Sequence, residues 1–125
     1  MKDTRPVNLD IGTMRLPVTA WASISHRISG VFLVAASAGM LWALDLSLSG
    51  PAGFARVADV LSSLPARLTL WVVLTGLLYH SLAGIRHLVM DLGIGESFRG
   101  GAASARLVFA LTFLGAVVAG AWLLW

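Results

Sequence analysis

Cysteine is absent from all 125 residues of the chain. That excludes a thiolate-held iron–sulfur cluster, a CxxCH haem attachment and any disulfide framework within it. Charge is scarce as well. Lysine, arginine, aspartate and glutamate make up 12% of the sequence, against 58% hydrophobic residues and a mean hydropathy of +0.85. A soluble domain of this size has too much surface for its volume to hide so much apolar area. A bilayer supplies the missing apolar solvent, and each crossing needs roughly 20 mostly apolar residues. Three such runs fit, with little left for an extramembrane domain. The net charge of +3 comes from nine basic residues dispersed along the chain. No basic cluster with interleaved aromatics is present, which argues against nucleic-acid binding.

The expected architecture is an all-α membrane protein with three transmembrane helices. Residues 1–20 are polar, carry Lys2, Arg5 and Arg15, and are broken by Pro6, Gly12 and Pro17, which predicts a cytoplasmic N-terminal segment. Residues 21–125 form the membrane unit, with spans at about 21–48, 68–91 and 106–125. Ala36-Ser37-Ala38 resembles a signal-peptide cleavage site, but the apolar run continues to Leu48, which favours an uncleaved span. Residues 49–66 read as a loop edged by Gly50-Pro51 and Pro65, with at most a short amphipathic turn inside it. With the N-terminus inside, Lys2, Arg5, Arg15, Arg27, Arg86, Arg99 and Arg106 share the inner side. Arg56 and Arg67 lie outside, a bias of seven to two. The N-terminus is therefore expected in the cytoplasm and the C-terminus in the periplasm, with Trp21 in the inner aromatic belt and Trp122 and Trp125 in the outer one.

Two clusters carry chemistry. On the second span, Gly76, His80, Gly84, His87 and Asp91 fall within an arc of roughly 80° at about 100° per residue. An imidazole near mid-membrane with a glycine one turn to either side could accept a flat macrocycle against the helix backbone. A neutral imidazole is also a common axial ligand of haem iron. The competing reading is structural. Small residues four apart pack helices closely, and a membrane histidine can bond across an interface. Zinc fits poorly, because His80 and His87 lie seven apart and no carboxylate or thiol completes a tetrahedral set at that depth. On the first span, Ser23, Arg27 and Gly30 share one face of the opening turns, with His26 beside them. The topology brings this end to the same boundary as Arg86, His87 and Asp91. Hydroxyl and guanidinium groups there would serve the carbonyl oxygens of a quinone and the negative charge of a haem propionate. Snorkelling of Arg27 and Arg86 to lipid phosphates is the plain alternative.

Four stretches together resemble the cytochrome b subunit family of succinate dehydrogenase, the larger membrane anchor of respiratory complex II. They are Arg5-Pro6, Arg15-Leu-Pro17-Val-Thr, Ser23-Ile-Ser-His26-Arg27-Ile-Ser-Gly30 and His80-Ser-Leu-Ala-Gly84-Ile-Arg86-His87-Leu-Val-Met-Asp91. The resemblance covers almost the whole chain, and its SxxHRxSG and HxxxGxRHLxxD motifs are specific when they occur on successive spans. It implies a multi-pass protein of a bacterial inner membrane, assembled with a flavoprotein, an iron–sulfur subunit and a second membrane anchor. It implies haem b, with His80 as one axial ligand of the iron and the partner anchor supplying the other. It places His26, Arg27 and His87 near the haem propionates, and Ser23 and Arg27 in the ubiquinone pocket. No catalytic residue for succinate oxidation is expected in the chain itself. Many family members carry Ser-Pro-His-Leu after the N-terminal Arg-Pro, where this chain reads Val7-Asn-Leu-Asp10. A fumarate reductase anchor using menaquinone is the near alternative, and a small transporter or structural membrane subunit the distant one.

Overall fold

The computed structural model describes residues 10–125, apart from the side chain of Ile11. Lys2, Arg5, Pro6 and the divergent stretch from Val7 to Leu9 lie outside the described residues. After a short 3-10 turn at Ile11–Thr13, four helices follow: α1 (Val18–Leu48), α2 (Pro51–Ser62), α3 (Leu64–Asp91) and α4 (Phe98–Leu124). Three of them, α1, α3 and α4, are long and apolar enough to cross a membrane. At about 1.5 Å per residue they measure roughly 40–46 Å, more than the ~30 Å hydrocarbon core, so their ends reach the interface.

The bundle is apolar on its outside. Its buried hydrophobic residues among those described are Ala22, Val73, Tyr79, Ala83, Ala105 and Val108. Large side chains such as Phe113 (73% exposed) and Trp122 (77%) point outward. Without a hydrophobic drive between helices in lipid, close packing at small residues holds such a bundle together. α3 is the central element, packed against both α1 and α4. Tyr79, Ala83 and Val108 form the core of the α3–α4 contact, with Phe109 stacked on the Tyr79 ring at 5.6 Å between centroids. Trp71 adds a hydrogen bond from its indole Nε1–H to the Ala116 carbonyl, at 2.7 Å.

The connections differ from the sequence expectation. The loop at 49–66 is mostly the 12-residue helix α2. Gly50, at φ 136°, ends α1 in a conformation that favours glycine, and Pro51 then opens α2, because proline is well placed in a first turn where no N–H is needed. Pro65 plays the same part for α3, which therefore starts at Leu64 rather than Leu68. α4 begins at Phe98, ahead of the apolar run. The Ser97 hydroxyl caps it by accepting from the Gly100 N–H at 3.1 Å. A Cβ on Gly100 would stand only 2.9 Å from the Gly95 carbonyl, so a glycine fits this turn.

Candidate functional site: a histidine stack between the first and second membrane helices

The α1–α3 contact is built from glycines filled by the opposite helix. Phe32 of α1 lies against Gly76, His26 of α1 against Gly84, and His80 of α3 against Gly30. The strip of α3 expected to lie bare for a macrocycle thus meets α1 side chains at Gly76 and Gly84, as close helix packing at small residues requires. The same interlock stacks the three histidines of the chain. The His26 ring lies between His80, at 4.2 Å and 25°, and His87, at 5.1 Å and 20°.

Hydrogen bonding assigns the tautomers. His80 Nδ1 lies 3.2 Å from the His26 carbonyl oxygen and 3.0 Å from Ser29 Oγ. A carbonyl only accepts, so Nδ1 carries the proton and Nε2 holds a lone pair. Among the described residues that Nε2 has no hydrogen-bond partner. His87 follows the same logic. Its Nδ1–H donates to the Ala83 carbonyl at 2.7 Å, and its Nε2 accepts from the Ser23 hydroxyl at 3.1 Å. His26 Nε2 is buried with no partner among the described residues. Such an orphan costs about 1–3 kcal/mol until something pairs with it.

Two recesses flank the stack. A groove of about 480 Å³ runs along α3 beside α1, bordered by His26, His80, Gly84 and His87 together with Ile85 and Leu88. A polar cleft of about 460 Å³ at the helix ends gathers Thr19, Ser23, Arg86, His87, Asp91 and Glu96. Ser23, His87, Arg86 and Asp91 therefore meet, as the topology predicts. Arg27 does not join them. It is exposed, lines neither recess, and has no hydrogen-bond or ion-pair partner among the described residues.

Arg86 does not snorkel. It is 7% exposed and reaches α4, where Nε donates to Ser104 Oγ at 2.9 Å and Nη2 to the Gly101 carbonyl at 3.1 Å. Sequence reasoning gave no part to Ser29 or to Ser104. Ser29 could have been found from its place three residues after His26, on the face that also buries Ala22. Ser104 carried no signal, since its partner lies 18 residues away. A third, largely apolar cleft of about 590 Å³ opens among α1, α3 and α4, walled by Phe32, Trp71, Tyr79 and Phe109. No three-ligand cage of histidine and carboxylate groups suited to a bare metal ion exists among the described residues.

Comparison with known proteins agrees with this architecture. Residues 1–119 match the model of the succinate dehydrogenase/fumarate reductase transmembrane subunit family. The chain is 39% identical to the succinate dehydrogenase cytochrome b556 subunit of Coxiella burnetii, over 98% of this chain and 99% of that one. It is 36% identical to the subunit of that name from Paracoccus denitrificans, over 75% of this chain and 72% of that one. The Rickettsia felis subunit is 32% identical over 76% and 73%. A three-span bundle, a histidine pair on its central helix, the family match over residues 1–119 and near-complete alignment with the Coxiella burnetii subunit agree, and the chain belongs to the family of succinate dehydrogenase cytochrome b556 membrane subunits.

Proposed function

We propose that this chain is the haem b-carrying membrane anchor of a bacterial succinate:quinone oxidoreductase, with His80 as one axial ligand. The observation that carries the proposal is the state of His80. Its Nδ1–H is engaged, its Nε2 lone pair is unpartnered, and the ring borders a groove of about 480 Å³. Metal-ligating histidines usually donate their other ring N–H in this way. The buried, unpaired His26 Nε2 lies in the same stack and would pair with a propionate oxygen, with His87 stacked beside it; Arg27 is carried to the propionates by the family resemblance alone. When bound, haem b supplies a one-electron redox centre. The second axial ligand would come from a partner anchor.

Ser23 and Arg27 would hold ubiquinone near the end of α1. Ser23 offers a hydroxyl beside His87, and exposed Arg27 offers a guanidinium at the bundle surface, where a neighbouring subunit could complete the pocket. Succinate oxidation would belong to a flavoprotein, with an iron–sulfur subunit between it and the membrane. The seven-to-two distribution of basic residues supports a cytoplasmic N-terminus and a periplasmic C-terminus in the inner membrane. The three relatives named above bear the succinate dehydrogenase name, which favours this assembly over a fumarate reductase anchor or a transporter. A reduced-minus-oxidised absorption spectrum of the purified complex tests it. A b-type band is expected, and a flat difference spectrum in a fully assembled complex would refute the proposal.

A further inference from the structure

Three short contacts form a closed triangle behind the His80 ring. The Ser29 hydroxyl donates to the His26 carbonyl at 2.7 Å. Its own oxygen faces His80 Nδ1 at 3.0 Å, and Nδ1 lies 3.2 Å from the same carbonyl. Because the hydroxyl proton is spent on the carbonyl, the lone pairs of Ser29 Oγ are left to accept from Nδ1–H. The Nδ1 proton is thus shared between two acceptors on α1, and the hydroxyl is the nearer. Ser29 is itself buried, and Gly30 beside it lets the ring sit against the helix.

We infer that Ser29 is a positioning residue for His80, one that fixes its ring and raises the electron density at Nε2. The inference rests on the haem ligation proposed above. An acceptor on Nδ1–H gives an imidazole some imidazolate character, which strengthens its donation to a metal and favours the oxidised iron over the reduced. Both effects depend on the hydroxyl oxygen, not on the volume of the side chain. Its loss would leave Nδ1–H with the His26 carbonyl alone, in the longer of the two bonds.

The test uses the purified, assembled complex, with haem-to-protein ratio, electron paramagnetic resonance (EPR) spectrum and haem midpoint potential as readouts. Ser29→Ala should retain haem while shifting the ratio of oxidised to reduced affinity three- to tenfold toward the reduced form. That raises the midpoint potential by about 28 to 59 mV for a one-electron couple. Ser29→Thr keeps the hydroxyl and should titrate with the parent. Loss of haem in Ser29→Ala with retention in Ser29→Thr supports the same conclusion. An unshifted potential and unchanged EPR spectrum in a haem-replete Ser29→Ala complex would overturn it, as would Ser29→Thr behaving like Ser29→Ala. His80→Ala separates this from the haem proposal. Should that variant keep an unaltered haem, the ligation itself fails and Ser29 falls with it.

Discussion

Gly30→Ala probes the seat of His80 with a single methyl group. The new Cβ would stand 3.1 Å from His80 Cε1 and 3.7 Å from Nδ1. Carbon–carbon contacts relax at about 3.5–4.0 Å, so the ring must retreat from α1 by roughly half an ångström. Both acceptors of Nδ1–H are on α1, so the retreat stretches the 3.0 Å and 3.2 Å contacts beyond good hydrogen-bond range. Overpacking of this kind costs about 1–3 kcal/mol, and a middle value of about 2 kcal/mol corresponds to roughly 25-fold in affinity. Gly39 supplies the internal control, since it lies in the same helix with nothing within 4 Å of its would-be Cβ. Alanine there should be neutral or slightly stabilising, because it is the better helix former. The assay is the rate of haem transfer from the purified complex to an excess of apomyoglobin. Gly30→Ala is expected to lose haem markedly faster than the parent and Gly39→Ala to match the parent. Equal rates for the two variants would refute the packing argument.

Arg27→Leu is expected to lower quinone reduction at least tenfold while sparing electron transfer to an artificial acceptor at the flavin; equal loss of both would mean an assembly defect. Arg86→Met removes two charge-assisted bonds to α4 and should destabilise the complex by about 1–3 kcal/mol. Arg86→Lys should fail to restore the thermal midpoint, because one ammonium lacks the planar fork that reaches Ser104 and Gly101 together. A lysine variant as stable as the parent would contradict that geometry.

The three spans and the histidine face of α3 were legible because they follow from two periodic signals, long apolar runs and a 100° step. Helix ends were less so. Gly50, Pro51 and Pro65 read as loop edges, yet each serves a helix terminus, where the same conformational bias assists rather than interrupts. The glycine strip was visible but its filling was not, because which side chain enters Gly76 or Gly84 depends on the register of α1. Register also decides that Arg86 turns to α4 and that Ser29 meets His80 across 51 positions of chain. Arg27 shares a helix face with Ser23 by spacing, but a face of two turns is wide enough for one residue to touch α3 and the other to stay outside.

The most direct measurement of the central claim is low-temperature EPR of the oxidised complex from the parent and from His80→Ala. A low-spin haem signal is expected that disappears, or gives way to a high-spin signal, when the imidazole is removed. Persistence of the parental low-spin signal in His80→Ala, at full haem occupancy, would show that another residue holds the iron.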